Sequence, residues 1–159
     1  MEFNAAALAT LCLGFSTGFL LVLSYIEKPI LSLATQPDKL AENEDVIRGV
    51  HGFLQSFLNY AGSNVLMPLI VLTLAMVTVQ GMERNFDTFS LFVMCATFGL
   101  LVVDIVHIRP AARLVQAEGA ENQKLEQMTS SLFKLVRMHH AIFLIIVPLT
   151  LAQLVLLFI

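Results

Sequence analysis

Four stretches of this chain are apolar almost without interruption, and the polar positions collect between them. They run from Ala5 to Ile26, from about Tyr60 to Val79, from Phe89 to Val106 and from Ala141 to Ile159. Each is close to the roughly 20 residues that a helix needs to cross about 30 Å of hydrocarbon. They are solid runs, not the alternating segments of a membrane barrel strand. Backbone amides in lipid must be satisfied within the segment, so helices are the expected elements. The pattern predicts an all-α fold: one integral membrane four-helix bundle over residues 1–159.

Amphipathic patterns flank the runs. Leu40, Ile47, Val50 and Leu54 fall near helical spacing after Pro37-Asp38, a helix-start signal. The second span is therefore expected to begin before His51 and stand proud of the membrane. Leu125, Met128, Leu132 and Leu135 form a similar stripe before the fourth span, with Gly119 as the expected break ahead of it. Met1-Glu2-Phe3 offers no basic region before the first run, which reads as a mature helix and not as a signal peptide.

The two halves of the chain echo each other. A shift of 81 residues puts Gly18 on Gly99, Lys28 on Arg109, Pro29 on Pro110 and Leu33 on Leu114. A shift of 80 puts Asn59-Tyr60-Ala61 on His139-His140-Ala141 and Pro68-Leu69 on Pro148-Leu149. Two repeated helical hairpins would follow, parallel and related by an axis along the membrane normal. Pro68 and Pro148 would then kink equivalent helices and free carbonyls inside the bundle.

Composition agrees with the pattern and excludes other classes. Apolar residues make up 57% and charged residues 13%, and mean hydropathy is +0.81. A small soluble domain has about a quarter charged residues. Two cysteines, Cys12 and Cys95, exclude a disulfide scaffold; both lie in spans and read as small packing residues. The hydrophobicity excludes disorder, and a net charge of −3 argues against nucleic-acid partners. No phosphate loop, zinc-protease motif or nucleophile elbow is present.

The basic residues orient the spans. Lys28, Lys39, Arg48, Arg109, Arg113, Lys124, Lys134 and Arg137 fall on one side, and Arg84 alone falls on the other. By the positive-inside rule the first side is cytoplasmic. Both termini are then outside, in what is expected to be a bacterial inner membrane.

This topology gathers chemistry that the linear sequence scatters. Glu27 ends the first span, His107 the third, and His139-His140 begins the fourth, all on the cytoplasmic side. Asp104 lies one turn deeper, three residues before His107 and so on a similar helix face. His51 lies about two turns nearer the cytoplasm than Asn59. Glu27, Asp104, His107 and His139 form a mixed carboxylate–imidazole set suited to iron, copper, zinc or manganese. Glu27, Asp104 and His139 are the candidate catalytic residues, since a His–carboxylate pair can serve as general base toward a phenol or quinol. His51, Arg137 and His140 are candidates for holding a cofactor, with haem ranked below a non-haem metal. Against this stands the ordinary use of His, Tyr, Lys and Arg as anchors at membrane interfaces. Asp104 is harder to explain that way, because an ionisable group inside a span is costly; Arg109, Arg137 and His107 are its candidate partners. Ser16, Thr17, Gly18, Thr97 and Gly99 read as small groups that let helices approach, and Asn64 and Gln153 as interhelical hydrogen bonders.

Several of these residues belong to a larger resemblance. Gly18-Phe-Leu-Leu-Val-Leu-Ser-Tyr-Ile-Glu27-Lys-Pro29 resembles the first-span motif of the anthrone oxygenase-like family of small four-helix membrane proteins. Pro110-Ala-Ala-Arg113-Leu114 resembles that family's Pro-x-Asn-x-x-Leu exit from the third span, with Ala112 at the Asn position and Leu114 one residue short of the Leu position. Leu132-Phe-Lys134-Leu-Val-Arg137-Met-His139 resembles its approach to the last span, with Leu135 in place of Trp. The resemblance implies a membrane oxidoreductase, with Glu27, Pro29, Arg113 and His139 at the matched positions. Fungal members are linked to oxidation of anthrones to anthraquinones.

Three functional readings stand side by side. The first is an oxygenase-like enzyme binding a hydrophobic, phenolic or quinone-type ligand at the His–carboxylate end. The second is an accessory or assembly subunit of a larger membrane complex, suggested by small size and long apolar faces. The third is an oligomeric transporter, suggested by the repeat and the mid-span prolines. Expected partners are the lipid bilayer, other membrane subunits or further copies of the chain.

Overall fold

The computed structural model describes residues 4–117 and 125–158. Among these the regular structure is helical throughout, with no strand. Helix α1 spans Ala5–Leu33, and Asn4 caps it by accepting the Ala7 N–H at 2.9 Å. Two short 3₁₀ turns, Pro37–Lys39 and Ala41–Asn43, lead to α2, Glu44–Ala61. The Pro37-Asp38 signal thus starts a single turn, and α2 begins at Glu44 with Glu44 and Asp45 against its N-terminal dipole. From there the chain stays helical through Gly62–Leu66 into α3, Met67–Glu83. Helix α4, Thr88–Val103, continues through Asp104–Ile108 into α5, Arg109–Ala117. Helix α6 spans Leu125–Val155. The expected break at Gly119 lies outside the described residues.

Four segments are long and apolar enough to cross a membrane: Ala5–Leu33, Asn64–Glu83, Thr88–Ala117 and Leu125–Val155. The chain is that of an integral membrane protein. The first, third and fourth spans run further toward the histidine-bearing end than the apolar runs alone imply, and the second runs from Asn64 to Glu83. In each spanning window only 17–22% of residues are buried within the protein. The outward apolar surface is what lipid solvation requires.

The elements pack as a ring. Helix α1 lies against α6 and α3, α3 against α4, and α4 and α5 against α6. Two apolar clusters occupy the interior. At the histidine-bearing end Leu23, Ile30, Ile47, Leu54, Leu132 and Leu135 meet, so both amphipathic stripes are packing faces. At the opposite end Leu13, Val77, Val93, Ile146 and Leu149 meet.

The two connecting segments Gly62–Leu66 and Asp104–Ile108 are π turns. In one the Met67 N–H bonds to the Gly62 carbonyl, and in the other the Arg109 N–H bonds to the Asp104 carbonyl, each five residues back. A proline follows at once in both cases, Pro68 and Pro110. Proline has no N–H and its ring crowds the carbonyl four residues earlier, so widening the preceding turn relieves the clash. Helix α6 instead passes Pro148 as unbroken α-helix. The wide turns thus precede Pro68 and Pro110, which are not equivalent positions under the repeat.

Polar residues inside the bundle settle differently from expectation. Gln153 does bond between helices: its Nε2 donates to Gln80 Oε1 at 2.7 Å and to the Ala6 carbonyl at 3.2 Å. Asn64 bonds within its own helix, to the Tyr60 carbonyl. Thr17 and Thr150 join α1 to α6, hydroxyl to hydroxyl at 2.7 Å. Gly18 and Gly99 have no neighbour within 4 Å of a would-be Cβ, so neither marks a close approach. Gly81 does, since a Cβ there would sit 3.1 Å from the Phe86 ring. Asn85 and Phe86 carry positive φ (51° and 52°) in the tight turn between α3 and α4. Both cysteines are free thiols, Cys12 buried and Cys95 exposed.

Candidate functional site

On α1, Leu23, Glu27 and Ile30 follow one another at helical spacing on the buried face, which carries the Glu27 carboxyl into the interior at 0% exposure. On α6, Leu135, His139 and Ile142 do the same from the other side. The two polar side chains meet there, His139 Nδ1 to Glu27 Oε1 at 2.6 Å. Burying a carboxyl group is costly unless it is paired, and the imidazole is its partner. The second carboxyl oxygen, Oε2, is also buried and has no hydrogen-bond partner among the described residues. The same holds for the Ser24 hydroxyl, one turn earlier on α1.

With Nδ1 held by the carboxyl, Nε2 is the ring nitrogen left for a ligand, and the ring orientation is fixed. His139 borders a cavity of about 440 Å³ between the two apolar clusters. Its walls are Leu13, Phe19, Leu20, Leu23, Phe57, Ile70, Leu100 and Ile142, with Ser16, Thr73 and Thr97 as hydroxyl-bearing points. Both π turns reach it, through Gly62 and Leu66 on one side and Asp104 and Ile108 on the other. The volume suits a small lipophilic molecule, and a mostly apolar chamber with a few polar groups is the usual composition of a ligand site.

The remaining expected residues are placed as follows. Asp104 is partly buried and pairs with Arg109, Nε to Oδ2 at 2.9 Å, and Arg109 also reaches Met67 Sδ on α3. His107 is exposed. The α-helical spacing that would have put it beside Asp104 fails in a π turn, where the residue five positions on comes round instead. His51 is fully buried on the inner face of α2, among Ile47 and Leu54, and is not on the cavity wall. His140 is half-buried with Nδ1 lacking a hydrogen-bond partner among the described residues, and Arg137 is exposed.

The metal set of Glu27, Asp104, His107 and His139 is therefore not assembled. Glu27 and His139 meet, Asp104 is committed to a guanidinium, and His107 faces outward. Among the described residues no group of three or more His, Cys, Asp or Glu side chains is placed to hold a metal ion. His51, Arg137 and His140 do not border this cavity. The donor pair that the structure does assemble at the cavity, a carboxyl group on an imidazole, is suited to acid–base chemistry.

Two polar contacts were not foreseen. Gln116 Nε2 donates to Asn59 Oδ1 at 3.2 Å across the cavity mouth, and Gln80 lies buried against Gln153. The spacing Thr73, Val77, Gln80 on one face of α3 was a signal for the second. No family model, no curated protein and no solved structure matches the chain.

Proposed function

We propose that this protein binds a bilayer-borne lipophilic molecule with a phenolic or quinone-type head, and that His139 acts on the head as a general base. The observation that carries the reading is the buried Glu27–His139 pair on the edge of an apolar cavity. Nε2 of His139 takes the acidic proton, and Glu27, the positioning residue, stabilises the resulting imidazolium. The cavity walls hold the rings and exclude water from the reacting end. The anthrone oxygenase-like resemblance extends this reading to an oxidation. The base would remove a ring-methylene proton and dioxygen would be the oxidant, one anthrone and one dioxygen giving one anthraquinone and one water.

Titrating the protein in nanodiscs with a hydroxylated anthraquinone tests the binding step, because its phenolate absorbs to the red of its phenol. Saturable binding with a red shift is expected. His139→Gln should abolish the shift, and Glu27→Gln should weaken it. Absence of saturable binding, or a shift unchanged in His139→Gln, would overturn the reading.

The orientation belongs to the same proposal: the end holding Glu27 and His139 lies at the cytoplasmic face of a bacterial inner membrane. Eight of the nine basic residues supply the support.

A further inference from the structure

Arg109, Ala112, Arg113 and Gln116 recur at helical spacing on one face of α5, and all four border the cavity. Ala112 leaves space between the longer side chains. Asn59 of α2 faces them and accepts the Gln116 amide at 3.2 Å. Arg109 is engaged by Asp104 through Nε. Arg113 is exposed at the mouth and makes no ion pair among the described residues. Its guanidinium has five N–H groups in a planar fork, a geometry matched to carboxylate and phosphate oxygens. Among the described residues that border the cavity, Asp104 is the acidic one against two guanidiniums, an excess of one positive charge. Beside an apolar chamber that charge favours an anion over a neutral ligand.

We propose that this mouth is an anion subsite, and that the ligand is an amphiphile whose apolar body fills the cavity while a carboxylate or phosphate group sits on Arg113, beside Arg109 and Gln116. The proposal rests on the reading of the cavity as a ligand site and adds the class of ligand. A phospholipid headgroup and a free aromatic or fatty acid share this chemistry.

The test compares a hydroxylated anthraquinone with its carboxylated derivative, bound to the protein in nanodiscs of phosphatidylcholine. The carboxylated compound should bind about tenfold more tightly, the value of one charge-assisted hydrogen bond. Arg113→Gln should bring its affinity down to that of the compound without the carboxylate, and Arg113→Lys should retain part of the preference, since the ammonium lacks the fork. Equal binding of the two compounds to the unaltered protein, or a preference that survives Arg113→Gln, overturns the anion subsite and leaves the ligand site standing. Failure of both compounds to bind overturns both readings. Repeating the titration with phosphatidylglycerol separates the sources. Displacement of the carboxylated compound from the unaltered protein identifies the phosphate of a net-anionic headgroup as the anion, and absence of displacement identifies a diffusible acid.

Discussion

Glu27 and His139 stand 112 positions apart in the chain and 2.6 Å apart in the bundle. The contact ties the first span to the last, and neither partner has another hydrogen bond of its own side chain to fall back on among the described residues. Removing one member strands the other in the interior. Glu27→Ala should cost about 3–5 kcal/mol of stability. A Glu27→Gln/His139→Gln double-mutant cycle, read by thermal unfolding in detergent, should give a coupling energy well above the 0.5 kcal/mol or so expected of independent sites. A cycle that closes to zero would mean that the pair is not formed.

At the other end of the bundle Gln80 and Gln153 present a neutral version of the same problem. Gln153→Leu leaves the Gln80 carbonyl without its donor and should destabilise by about 1–3 kcal/mol. Gln80→Leu combined with Gln153→Leu should cost less than the sum of the single changes, because no orphan remains. Equilibrium unfolding of the four forms measures this directly.

The turn between α3 and α4 carries a pH dependence whose sign is fixed by Asp87. The Ser90 backbone N–H and the Arg84 guanidinium, followed by the Phe89 N–H, hold this carboxyl below the usual carboxylate range. A depressed folded-state value means that the cap contributes fully above the unfolded carboxylate value of about 4. The contribution fades as pH falls through the lower folded value. Asp87→Ala should lower the melting temperature at neutral pH and flatten its decline in acid; parallel declines in both proteins would refute the assignment.

The proposed orientation is open to a fusion test. A periplasmic phosphatase joined after Ile159 should be active, and a fluorescent protein that matures in the cytoplasm should stay dark at the same place. The reverse pattern would put the His–Glu pair at the outer face.

The spans were legible because lipid leaves little freedom: solid apolar runs mean helices, and their number and approximate extent follow. Grouping the histidines at one end needed only the count of crossings. The pairing of Glu27 with His139 was legible as neighbourhood but not as contact, since depth along a span does not fix which face a residue takes. Arg109, one of the candidate partners of Asp104, answers its carboxylate, whereas His107 does not join it, because α-helical spacing fails in the π turn before Pro110. Asn64 failed for a related reason, because a polar side chain in a span can return to its own helix's carbonyl as cheaply as reach a neighbour. Gln80 was passed over because its place near a span end resembled ordinary interfacial polarity.

The same π turn makes α5 a matter of phase. A π turn is in effect one residue more than the α-helix needs, and deleting a residue such as Val106 would let the regular ladder close again. Every side chain beyond it would then swing by about 100° around the helix axis. Arg109, Arg113 and Gln116 would leave the cavity mouth together, with their composition unaltered and the span still long enough to cross. The chemistry of this rim is thus set by an arithmetic of residues within Asp104–Ile108 as much as by the identity of the residues that line it.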